Sequence, residues 1–159
     1  MDQIRQHLVA ALRGGQAYDT FDGIVAEFKP GEYDIVPPGA THSAWQILEH
    51  MRIALRDILD FCQNEDGTYQ ELDWPAEYWP ESQSPVPGGW EQTIESYHAD
   101  LREVVGLIRD ESRDLFAPFP WGQGQTLFRE ALLVIDHAAY HLGQLVELHR
   151  WIAATQSRS

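Results

Sequence analysis

Apolar residues recur along most of this chain at intervals of three and four, the signature of helices that bury one face. Ile4, Leu8, Ala11 and Leu12 predict a first helix within Met1–Leu12, and Gly14-Gly15 stops it as a glycine C-cap. Ala17 to Phe28 reads as a short helix or turn, and Lys29-Pro30-Gly31 and Pro37-Pro38-Gly39 enforce a loop. Ser43-Ala44-Trp45-Gln46 has capping-box form, and Ile47, Met51, Ala54, Leu55, Ile58 and Phe61 then carry a second helix to about Cys62. A third begins at Trp90 and runs through Ile94, Tyr97, Leu101, Val104, Val105 and Ile108. Thr126 caps the longest, which runs to about Ala154 through Leu127, Ala131, Val134, Ala138, Leu145, Leu148 and Ile152. No Val/Ile/Thr alternation is long enough for a strand. The expected fold is an all-α four-helix bundle in one domain, residues 1–159.

Two connections interrupt the helical pattern. Asp110 to Gly124 is broken by Pro118, Pro120 and Gly122. Asn64 to Gly89 holds Pro75, Pro80, Pro85 and Pro87, too many for a helix, together with Trp74, Tyr78 and Trp79, too many rings for a disordered linker. An ordered aromatic loop that packs back on the bundle is expected. Trp45, Trp74, Trp79, Trp90 and Tyr140 could line a pocket or serve as packing or interface residues.

Charge narrows the partners. Across 159 residues, 25 acidic groups face 11 basic ones, a net charge of −14. Nucleic-acid binding starts from Lys and Arg on phosphates, and docking on an anionic membrane needs the same charges, so both are disfavoured. No run approaches the roughly 18 apolar residues of a membrane span, and Met1–Leu12 lacks the layout of a signal peptide, so a cytoplasmic address is expected. Cys62 is alone, has no intrachain disulfide partner and lies in an apolar helical stretch, as a buried structural thiol does.

The chain also has 7 histidines. His137 and His141 are four apart on the last helix, so they differ by roughly 40° and stack on one face, the spacing by which a helix offers two imidazoles to one ion. Val134, Leu145, Leu148 and Ile152 share that face, which places the pair in the core stripe. Bare imidazoles there need partners for their nitrogens. His50, at the edge of the apolar arc of the second helix, would complete a three-histidine site if the second and fourth helices are neighbours. Three protein ligands leave open positions, as catalytic or substrate-binding metals require. Asp57 and Glu130 project in nearly the same directions as His50 and His137, each about two turns away. They could orient an imidazole, act as catalytic acid–base groups, or form a buried charge pair. His7, His42, His98 and His149 show no such convergence.

Three segments carry a resemblance: His42-Ser43-Ala44-Trp45-Gln46-Ile47-Leu48-Glu49-His50-Met51, Tyr78-Trp79-Pro80, and Asp136-His137-Ala138-Ala139-Tyr140-His141-Leu142-Gly143-Gln144-Leu145. In order and spacing they resemble the DinB-like superfamily of metal-binding bundles, over nearly the whole chain. A translesion DNA polymerase shares the name, but this chain is far too short and too acidic to be that enzyme. The resemblance implies an up-down-down-up four-helix bundle, often homodimeric, and a divalent metal, commonly zinc or nickel, on histidines that map to His50, His137 and His141. The residue after the second of these is often Asn in relatives and is Ala138 here, which removes a hydrogen-bonding side chain without touching the ligands. Some relatives are transferases or isomerases that use low-molecular-weight thiols such as bacillithiol or mycothiol. The implied function is a metal-dependent thiol S-transferase acting on a small electrophile. The alternative is a non-catalytic metal-binding stress- or damage-response protein, or a dimerisation module.

Overall fold

A computed structural model describes residues 2–157. It is all-helical, with helices α1 (Gln3–Leu12), α2 (Phe21–Ala26), α3 (Ala44–Cys62), α4 (Gly89–Arg109) and α5 (Leu127–Gln156). Among the described residues there is no strand, only an isolated bridge between Pro118 and Thr126. None of the helices is long and apolar enough to cross a membrane.

The local signals act where the sequence puts them. Asp2, Thr20, Ser43 and Thr126 each accept a hydrogen bond from a backbone N–H in the first turn of α1, α2, α3 and α5, satisfying a donor that the helix leaves orphaned. At α3 the box is reciprocal: the Ser43 hydroxyl accepts from the Gln46 N–H and the Gln46 side chain from the Ser43 N–H. Helix α4 has no side-chain cap and starts after Gly88, whose φ of 76° is a left-handed conformation that glycine adopts without strain.

Helix α3 packs against both α4 and α5, and α1 closes the other side of the same pair. The core is continuous, centred on Leu48, Met51, Leu59, Ile108, Leu145 and Ile152, each fully enclosed. Arg5 ties α1 to the far end of α4: its buried guanidinium donates to the carbonyls of Ile108, Asp110 and Arg113.

The connection from 63 to 88 is ordered, with short 3-10 turns at Asn64–Asp66 and Ala76–Tyr78. Its rings divide. Trp79, Tyr69 and Tyr78 pack back onto the bundle, while Trp74 is 68% exposed with only its edge against Tyr78. Trp45 and Trp90 are core residues, the latter stacked on Tyr33 with centroids 4.2 Å apart.

Candidate metal centre

The packing of α3 on α5 brings three imidazoles together. His50 comes from the second turn of α3, and His137 and His141 from one face of α5. One ring nitrogen of each lies within 4.8 Å of the other two. Ring centroids are 4.9 Å apart for His50–His137, 4.6 Å for His50–His141 and 4.4 Å for His137–His141. His50 and His141 are buried and His137 is half-buried.

Hydrogen bonds on the outer nitrogens fix which inner atoms are available. The carbonyl of Tyr78 accepts from His50 Nδ1 at 2.8 Å, so this nitrogen carries the proton and Nε2 is a bare lone pair. Gln144 Oε1 accepts from His141 Nδ1 at 2.7 Å, with the same consequence. His137 Nε2 sits 3.0 Å from His50 Nε2. Two imidazoles bound at about 2.0–2.1 Å to a tetrahedral ion place their nitrogens about 3.3 Å apart, so the pair needs little movement to share one.

The electrostatics agree. Burial, reinforced by repulsion from the neighbouring imidazoles, holds His137 down to about 3. Burial holds His141 down to about 4 against the opposing hydrogen bond to Gln144. His50 is also lowered, by burial more than its bond to Tyr78 raises it. All three are neutral at pH 7, the ligand form.

Asp57 and Glu130 lie elsewhere in the hydrogen-bond network. Asp57 accepts from the phenols of Tyr69 at 3.0 Å and Tyr78 at 2.6 Å. It therefore acts on the imidazoles at one remove, by anchoring the residue whose carbonyl orients His50. Glu130 is buried and paired with the Arg129 guanidinium at 2.8 Å. The groups that contact the imidazoles directly, the Tyr78 carbonyl and Gln144, are not visible as such in the sequence. Gln144 stands three residues after His141, a spacing that places both on one helix face.

The aromatic loop supplies one wall. Trp79 stacks on His50 with centroids 3.9 Å apart and planes within 4°, and His42 stacks on the other face of Trp79 at 3.7 Å. His42, which showed no convergence along the sequence, thus stands one ring away from the cluster. The only signal was its place beside Ser43, because the long loop decides what lies between His42 and His50. A cavity of about 390 Å³ opens beside His42 and Gln144, bounded also by Ile47, Leu148 and Trp151. Tyr140 is 64% exposed, with its ring edge-on to His141.

No curated protein and no solved structure gives a significant match to the chain. The family model of the DinB superfamily does match, over residues 14–145, a span that begins at the end of α1 and includes all three histidines and the loop that orients His50. That match covers most of the molecule, and the chain belongs to the DinB superfamily.

Proposed function

We propose that His50, His137 and His141 hold a divalent metal ion, zinc or nickel, and that the protein is a metal-dependent thiol S-transferase of the bacillithiol or mycothiol type. The observation that carries the metal reading is the orientation of His50. Its outer nitrogen is committed to a backbone carbonyl, so its inner lone pair faces His137 at 3.0 Å. A buried lone pair aimed at two other imidazoles matches the donor set of a three-histidine site.

A divalent ion on three neutral imidazoles lowers the pKa of a bound thiol and supplies a thiolate at neutral pH. The chain's own residues do the rest. Tyr78 and Gln144 hold the ligand rings in one tautomer, and Trp79 keeps His50 from turning. Gln144, which orients His141, also lines the cavity beside His42, a space for the organic part of the thiol or of the electrophile that the three histidines border only through it. His42 and Glu147 both line that space, and Glu147 is paired with Arg150 at 2.6 Å; burial keeps the His42 pKa below the ordinary value, so it is neutral at pH 7 and able to accept a proton.

Burial of His50 and His141, at 2% and 5% exposure, favours a second reading, a metal that is structural and a protein that binds it without turnover. Elemental analysis of tag-free protein tests the shared site. About one equivalent of metal is expected, lost in both His50→Ala and His137→Ala; metal retained in both variants rejects the site. Conjugation of a small electrophile across a panel of low-molecular-weight thiols separates the two readings, since metal-replete protein inert to the whole panel leaves only the second.

A further inference from the structure

Another concave feature lies across α5 from the aromatic loop, beside the helix face that carries the histidines and lined by none of them. A cavity of about 560 Å³ runs between α1, α2, α4 and α5, and α3 contributes nothing to it. Its walls are apolar: Leu12, Phe21, Tyr97, Leu101, Val105 and Leu142. Phe21 and Tyr97 stack with centroids 4.3 Å apart and planes within 9°, which makes that wall a rigid plate. The volume suits a small organic ligand.

Its rim carries an anomalous charge. In a chain of net charge −14, cations are scarce and most are spoken for. Arg5, Arg52, Arg56, Arg113, Arg129 and Arg150 each lie within salt-bridge distance of an acidic side chain. Among the described residues, Arg13, Lys29, Arg102 and Arg109 have no such partner, and the three arginines all line this one cavity. The cavity's single acidic residue, Asp22, is engaged by His98 Nε2 at 2.7 Å. Arg13 and Arg109 stand at the C-terminal ends of α1 and α4, where a cation also complements the helix dipole. Arg102 is in mid-helix, two turns from Arg109 on the same face, and has no such local use. Three unpartnered guanidinium groups over an apolar cavity are complementary to an anion with an apolar body.

We infer that this cavity is a binding site for an amphipathic organic anion, a carboxylate or phosphate head on an aliphatic or aromatic body, with the body against Phe21 and Tyr97 and the head among Arg102, Arg109 and Arg13. The site is independent of the metal reading. None of the three histidines lines it, and it stands whether or not they bind an ion.

Decanoate and its neutral isostere decanol are the probes, with anilinonaphthalene sulfonate as the displaced fluorophore. Decanoate binds saturably and displaces the dye, and decanol binds at least about tenfold more weakly, the difference a charge-assisted contact supplies. Arg102→Gln on the exposed face of α4 lowers decanoate affinity by about tenfold and leaves decanol unchanged. Gly106 borders the cavity, and a Cβ built there meets nothing within 4 Å. Gly106→Trp therefore fills the mouth without backbone strain and abolishes dye and decanoate binding while thermal unfolding stays cooperative. Equal affinity for decanoate and decanol, binding that survives Gly106→Trp, or no saturable binding overturns the proposal. So does a concentration-dependent dimer that Arg102→Gln dissociates, because the arginines then serve the acidic surface of a second copy.

Discussion

Cys62 lies at the end of α3, 2% exposed and free. Burial first, then the negative charge of Glu130, push its thiol up to about 12. The native protein should not react with a disulfide reagent at pH 8, and should react fully once unfolded in guanidinium; rapid labelling of folded protein contradicts this. The same shift has a sign in stability. Above the ordinary value of 9.0 the unfolded chain loses the proton and the folded one keeps it, so stability is present below pH 9 and is lost as pH rises towards 12. The advantage of the wild type over Cys62→Ala in urea denaturation should therefore shrink by about 2 kcal/mol between pH 8 and pH 10.5. A thiol this reluctant to ionise is no nucleophile, which leaves any thiol chemistry to an external thiol. Asp57 is a different case at the same scale. Its direction along the helix was legible, but its occupation by two phenols was not, because both tyrosines arrive from a loop whose path no local rule fixes.

At the scale of the element, the helices follow from local chemistry. Caps, breakers and apolar period placed α3 and α5 within about two residues of their ends. The two capping residues should nonetheless differ in worth. Ser43 is fully buried, accepts from Gln46 and also donates to the carbonyl of Gln83 at 2.8 Å, so it holds the helix and the aromatic loop together. Thr126 caps α5 alone. Ser43→Ala should cost about 2–3 kcal/mol in chemical denaturation, a lost cap plus a buried acceptor left unpaired, and Thr126→Ala about 1 kcal/mol. Equal costs would mean that the loop is anchored elsewhere. The loop itself shows where local reading stops. Its composition called for packed rings, yet Trp74 stands in solvent while Trp79 covers His50, and nothing in the residue types distinguishes the two.

Across the whole molecule, Arg5 is a long-range tie made by a buried side chain. It reaches from α1 to the Ile108 carbonyl in the last turn of α4 and to the carbonyls of Asp110 and Arg113 just beyond it, and α4 ends without a glycine cap. The Ile108 carbonyl lies in the last turn of α4, where a helix leaves its acceptors unpaired, while the Asp110 carbonyl also accepts from the Arg113 N–H. Arg5→Met keeps the aliphatic stem and removes the donors, and should cost about 3 kcal/mol by thermal or urea unfolding, well above a surface charge deletion such as Arg150→Met. A loss equal to that of Arg150→Met would show that water replaces the guanidinium.

The helices and the pairing of His137 with His141 could be read from the residues alone, because each rests on hydrogen bonds or spacings within one short stretch of chain, and the acidic balance is a sum over residue types. Family membership was legible too, since the segments around His50 and His137 carry a resemblance to the superfamily whose model matches residues 14–145. Tertiary structure alone decided that α3 lies against α5, and so that His50 joins the pair. It decided that a backbone carbonyl at Tyr78 orients that ring, that Trp79 and His42 stack beside it, and that the unpartnered arginines share one cavity. A carbonyl is common to every residue and carries no signature in the sequence. Contacts between residues far apart in the chain are set by how the faces of whole helices pack, not by the residues that meet.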